Sequence, residues 1–155
     1  MKSLRVYVDT SVIGGYFDPE FEPWSKGLID DFRRGRLLAV LSDVTAAEVE
    51  EAPQPVRDLH AELVSGGAEI VSVASEALRL VSRYQERGVL GRRFRNDMLH
   101  IALATIAKVD VLVSWNFRHI VRLDKIRLFN AVNLELGYSL LSIYSPREVT
   151  SYGQN

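Results

Sequence analysis

Short apolar runs alternate with segments of helical period along nearly all of this 155-residue chain. Leu4-Arg5-Val6-Tyr7-Val8 reads as a strand ending at Asp9, and the run from Arg36 to Ser42 is continuous enough for a strand buried on both faces. Strand character returns at Ala68–Val73, Val109–Trp115 and Tyr138–Tyr144. Between these runs, apolar residues recur at three- and four-residue spacing: Trp24, Leu28, Ile29 and Phe32; Val56, Leu59 and Leu63; Leu78, Val81 and Tyr84. A shorter helix is expected over Thr45–Glu51, a strongly apolar one over Asp97–Lys108, and partial helix from Asn116 to about Leu136. This order predicts βαβ units, a mainly parallel sheet and helices on both of its faces.

Composition narrows the chemistry. There is no cysteine, which removes disulfides, thiolate metal sites and thiol nucleophiles. The net charge of −1 argues against a broad basic coat. No apolar run approaches the roughly 20 residues needed to span a bilayer, and Met1-Lys2-Ser3-Leu4 does not begin a secretory signal. The expectation is a cytoplasmic protein with one domain over residues 1–150 and a tail over 151–155.

In an open parallel sheet, ligands bind outside the carboxyl ends of the strands. Four polar residues are expected at that edge: Asp9 after the first strand, Glu48 one turn past the second, Asp97 at the start of the apolar helix, and Asn116 after the fourth strand. Each has an ordinary structural role open to it. Thr45-Ala46-Ala47-Glu48 fits a capping box. Asn96 or Asp97 could cap its helix, Asp9-Thr10-Ser11 could be a capped turn, and Asn116 a turn residue. Three carboxylates and an amide converging on one edge would instead form an all-oxygen site, with a dication relieving their repulsion. Asp43 is the spare candidate, Asp110 belongs to the opposite edge, and Asp30 and Asp31 read as solvated helix charges. Neither His100 nor His119 is read as having a metal-ligand partner at helical spacing, and His100 is expected to pack or bond locally on its apolar helix.

The four segments Val6-Tyr7-Val8-Asp9-Thr10-Ser11, Thr45-Ala46-Ala47-Glu48-Val49, Asp97-Met98-Leu99-His100-Ile101-Ala102-Leu103-Ala104 and Val111-Leu112-Val113-Ser114-Trp115-Asn116-Phe117-Arg118-His119-Ile120 resemble, in order and spacing, the motifs of PIN domains, the family that includes the VapC-type ribonuclease toxins. The resemblance implies a three-layer α/β/α sandwich around a mainly parallel five-stranded sheet. It implies a Mg²⁺- or Mn²⁺-dependent ribonuclease with Asp9, Glu48 and Asp97 as metal ligands and Asn116 as a fourth catalytic position, where the family often has Asp. It also implies an antitoxin partner and homodimers. The alternative is a PIN-like module, weakened in catalysis, that binds RNA or protein.

Charge placement bears on the substrate. Of the 19 basic residues 15 are Arg. Arg33, Arg34 and Arg36 follow a helix C-terminus, where cations are favoured without any ligand. Arg92, Arg93 and Arg95 immediately precede Asp97, in a segment that Gly88 and Gly91 suggest is mobile, and are expected to meet RNA phosphates, with Arg118 beyond Asn116. Thr10, Ser11 and Ser114 are further candidates for phosphate contact, and Trp115 and Tyr16 for stacking a base. Other α/β enzymes fit worse. Ser11 stands where a haloacid-dehalogenase-type phosphatase needs a second Asp, a receiver domain's acidic pair is missing, and no Gly-rich phosphate loop is present.

Overall fold

A computed structural model of the chain describes residues 3–153. Five parallel strands, β1 (Leu4–Val8), β2 (Leu37–Ser42), β3 (Glu69–Val71), β4 (Val111–Val113) and β5 (Ile143–Tyr144), form one sheet in the order β3-β2-β1-β4-β5. The helices are α1 (Thr10–Gly15), α2 (Glu22–Arg33), α3 (Asp43–Glu50), α4 (Gln54–Ser65), α5 (Ser75–Glu86), α6 (Arg95–Ile106), α7 (Leu123–Glu135) and α8 (Pro146–Val149). The chain builds outward from β1 to β3, then returns to place β4 on the other side of β1. That reversal puts a topological switch point between β1 and β4.

The apolar strands resolve into a two-residue alternation. Val6, Val8, Ala39, Leu41, Val111 and Val113 join Val12, Ile13, Leu28, Ile29, Leu59 and Leu63 in one core. Tyr7, Val40 and Leu112 point the other way, into a core with Leu80, Tyr84, Met98, Ile101 and Phe129. Because both sheet faces are covered, neither needed polar residues, and the strands read as unbroken apolar runs. Gly15 lets α1 close on this packing. A Cβ there would lie 2.7 Å from both the Ser25 hydroxyl and the Trp115 indole nitrogen, which bond to each other at 2.8 Å.

Three expectations change. The last strand shrinks to two residues, because Asn130 takes the backbone N–H and C=O of Leu141 with its side chain, at 2.7 and 3.0 Å. The helix expected from Asn116 begins only at Leu123, since residues 116–121 form turns whose Ile120 and Val121 N–H groups both bond the Asn116 carbonyl. Asp31 is not solvated. It is 1% exposed and accepts from Thr150 Oγ1 and the Ser151 N–H, both at 2.9 Å, and from the Ser151 hydroxyl. Arg33 and Arg34 pair with Glu62 and Asp30 at 2.7 and 2.9 Å, and Arg36 reaches Asp31 at 3.4 Å, so that cluster is committed to the protein itself. Asp110 accepts from the Arg5 N–H at 2.7 Å, at the amino end of the sheet.

Candidate metal centre

Asp9 directly follows β1, the central strand, and its own N–H extends the ladder to Val113 at 3.0 Å. It precedes α1 but makes no side-chain cap there. Its Oδ2 accepts instead from the Ser11 hydroxyl at 2.6 Å and the Ser114 hydroxyl, across the switch point, at 2.7 Å. Glu48 is no capping-box residue either. Ser42 caps α3 by accepting from the Thr45 N–H, which leaves Glu48 free to turn toward Asp9. Its Oε1 accepts from the Thr10 hydroxyl at 2.7 Å and from His100 Nε2 at 2.7 Å. The hydroxyls of Thr10, Ser11 and Ser114 thus orient the two acids.

Asp97 lies in the first turn of α6. A 3₁₀ turn over Arg92–Phe94 runs straight into that helix, so Phe94 occupies the cap position and neither Asn96 nor Asp97 does. Asp97 Oδ2 faces His119 Nδ1 at 3.3 Å and the Asn116 amide at 3.4 Å. Asn116 Oδ1 is committed to the N–H groups of Arg118 and His119, at 3.1 and 2.9 Å. Asp43 accepts from the Val73 N–H at 3.0 Å and takes no part. The segment before α6 is anchored rather than loose: Val89 and Leu90 are buried, and Lys125 Nζ bonds the Val89 carbonyl at 2.8 Å. Among the described residues, no ion pair engages Arg92, Arg93, Arg95 or Arg118, and all four are exposed. Trp115 stacks on Phe21 at 4.3 Å and is buried, so it is packing, not a base platform.

His100 is the residue that sequence reasoning missed. It is fully buried, with Nε2 2.7 Å from Glu48 and 3.4 Å from Asp9 Oδ1, and Nδ1 2.7 Å from the Tyr7 hydroxyl. Among the described residues, Asp9, Glu48 and His100 offer ligand atoms within 4.8 Å of one another, and Asp97 stands outside that group. The available signal was the spacing of Asp97 and His100. Residues three apart on a helix share a face, so a helix presenting Asp97 to the site presents His100 too.

The electrostatics match a cation site. Burial pushes the Asp97 carboxyl above its ordinary value, and the charges of Asp9 and Glu48 push it further, against partial relief from His119 and His100. For His100, burial favours the neutral ring, but the Glu48 hydrogen bond and the charges of Asp9, Glu48 and Asp97 outweigh it, so the imidazole lies above its ordinary range. Burial raises Glu48 as well, and its bonds from His100 and Thr10 more than offset that, leaving it lowered. The donor set, two oriented carboxylates with a third close by and one imidazole, fits a divalent cation. Without one, the raised His100 contributes stability in full below its ordinary value of 6.5, lost as pH rises through its folded value. The lowered Glu48 contributes above 4.5, lost as pH falls through its folded value. In EDTA, differential scanning calorimetry should therefore show a melting temperature that falls above pH 6.5, and His100→Gln should flatten that limb. An unchanged alkaline limb in the variant would contradict this reading of the pair.

The sheet order and the polar cluster at the switch point define a PIN-like α/β/α fold, as the motif resemblance implied. Two solved structures share it. VapBC2 from Rickettsia felis, bound to a DNA fragment from their promoter, matches with a TM-score of 0.57 and 11% identity, over 92% of this chain and 98% of that one. FitAcB from Neisseria gonorrhoeae matches with a TM-score of 0.59 and 14% identity, over the same shares. At these identities the likeness is one of fold. No family model and no curated protein matches the chain by sequence. Among the described residues, no helix is long and apolar enough to cross a membrane.

Proposed function

We propose that the chain is a cytoplasmic, metal-dependent endoribonuclease of the PIN type, hydrolysing RNA phosphodiester bonds as the toxin of a toxin–antitoxin pair. The observation that carries this reading is the meeting of Asp9 and Glu48, with Asp97 beside them, at the carboxyl edge of the sheet and next to exposed arginines without ion pairs. Asp9 and Glu48 hold Mg²⁺ or Mn²⁺, and Asp97 completes or borders the site. When bound, such a cation stabilises charge on the phosphoryl oxygens and acidifies water at neutral pH. Ser11 and Ser114 fix the Asp9 carboxylate, and Thr10 and His100 fix that of Glu48, so both acids are set before substrate arrives. Asp97, steadied by His119 and Asn116, accepts a hydrogen bond from the attacking water. Arg92, Arg93, Arg95 and Arg118 hold the flanking phosphates. Likeness to VapBC2 and FitAcB supports the toxin assignment and an antitoxin partner. A second copy of the chain is a further proposed partner.

The test is cleavage of a panel of structured RNAs with Mn²⁺, comparing the wild type with Asp97→Asn. Cleavage that stops in EDTA and drops in the variant is expected, and cleavage that persists in EDTA would overturn the mechanism. Changing Arg92, Arg93 and Arg95 together to Ala should weaken RNA binding and shallow its salt dependence by about 2 in log–log slope, at about 0.7 per single-strand phosphate contact. An unchanged slope would move the RNA path elsewhere. A second reading, RNA binding without cleavage, draws on Asn116, an amide where the resembled family often has a carboxylate and one whose oxygen is already committed. Tight RNA binding with no Mn²⁺-dependent cleavage of any RNA in the panel would favour it.

A further inference from the structure

We propose that His100 is a direct nitrogen ligand of the cation held by Asp9 and Glu48, so that the centre selects a transition-metal dication such as Mn²⁺ over Mg²⁺. This rests on the metal-centre reading above and names the donor set and metal class of that same site. Adjacent donors of an octahedral ion with bonds of about 2.1 Å lie about 3.0 Å apart. His100 Nε2 stands 2.7 Å from Glu48 Oε1 and 3.4 Å from Asp9 Oδ1, on either side of that spacing.

The far side of the ring is prepared for the role. Ligating imidazoles are held through their other nitrogen, which fixes the tautomer and aims the free one. Here Nδ1 meets the Tyr7 hydroxyl at 2.7 Å, and Tyr7 meets the Ser42 hydroxyl at 2.8 Å, all three residues being buried. With Nδ1–H donating to Tyr7 and Tyr7 donating to Ser42, Nε2 would turn its lone pair to a cation between the acids once its own proton has left. Ser42 also caps α3, the helix carrying Glu48, so one hydroxyl sets both ligands. Cation binding displaces the Nε2 proton to solvent and replaces the His100–Glu48 hydrogen bond. Oxygen donors are short in the immediate group: Asp97 stands outside it and the Asn116 oxygen is occupied. Imidazole nitrogen suits transition metals, whereas Mg²⁺ favours oxygen and retains its water.

The experiment is electron spin-echo envelope modulation on the full chain loaded with Mn²⁺, alongside Mn²⁺ and Mg²⁺ titrations by calorimetry. Expected is a ¹⁴N coupling that changes on ¹⁵N-histidine labelling, disappears in His100→Gln and survives in His119→Gln. Mn²⁺ affinity should fall by at least roughly 10–100-fold in His100→Gln, the range already seen for loss of residues that merely orient a ligand, while Mg²⁺ affinity changes far less. Bound Mn²⁺ without nitrogen coupling, or a coupling lost only in His119→Gln, would overturn the ligand assignment while leaving an oxygen centre standing. Failure to bind Mn²⁺, or equal binding by Asp9→Asn, would remove the metal centre itself and this assignment with it. If His100→Gln does not fold, the labelled and unlabelled wild type together with His119→Gln decide the question.

Discussion

Asp9→Asn should lower Mn²⁺-dependent RNA cleavage by about 10³-fold, the equivalent of about 4 kcal/mol of transition-state stabilisation. The substitution keeps the shape of a side chain packed beneath two hydroxyls, so the fold should survive. What it removes is the charge at the centre of the sheet edge. With the amide oxygen kept toward Ser11 and Ser114, the new NH₂ faces His100 Nε2 at the position where Asp9 Oδ1 now lies, 3.4 Å away. An amide NH₂ has no lone pair to offer a cation. One substitution thereby removes both a charge and one of the three ligand atoms that converge there. Single-turnover cleavage at saturating Mn²⁺, with melting curves as the control for folding, measures the effect. Cleavage within about tenfold of wild type would place the chemistry elsewhere.

The largest stability effect is expected far from the site. Asp31→Ala should cost about 3 kcal/mol, because it removes a buried carboxylate that accepts several hydrogen bonds at once. The Thr150 hydroxyl and the Ser151 N–H and hydroxyl all converge on this carboxylate, and Arg36 adds a longer contact. These bonds tie the chain after α8 onto α2, where Gly27 also makes room for Tyr152: a Cβ on Gly27 would lie 2.5 Å from the tyrosine Cβ. Over a chain of this size, the loss lowers the melting temperature by about 6–12 °C, at about 2–4 °C per kcal/mol. Urea unfolding of Asp31→Ala beside Ser151→Ala separates the carboxylate from one of its partners, and the first should lose much more. Equal, small losses would show the carboxylate to be dispensable.

Asp31 shows why part of the structure was illegible. Its neighbours in sequence, Asp30, Arg33 and Arg34, are surface charges, and nothing local separates it from them. Its partners lie about 120 positions along the chain, brought there by the fold. The same holds for Asn130, whose side chain ends the ladder that the apolar pattern extends back to Tyr138. Local propensity cannot register a side chain that arrives from another element and takes over backbone hydrogen bonds.

His100 is the counterpart in the site. As a polar residue on a helix apolar all round, it looks like a core histidine, and it is indeed fully buried. Burial was the right inference; the company it keeps was not. Only the pairing of β1 with β2, and the packing of α6 over that face, bring Tyr7, Ser42 and Glu48 around the ring.

By itself, the order of strand-like and helix-like segments determined the parallel α/β class, because a parallel sheet needs a helical crossover between strands and burial on both faces. It also determined that Asp9, Glu48 and Asn116 follow strands, and hence lie at one edge. Tertiary structure alone decided which of these groups touch. Contacts a few ångströms long depend on the lateral order of the strands, on which hydroxyl caps α3, and on the rotation of α6, and none of these is a local property of the chain.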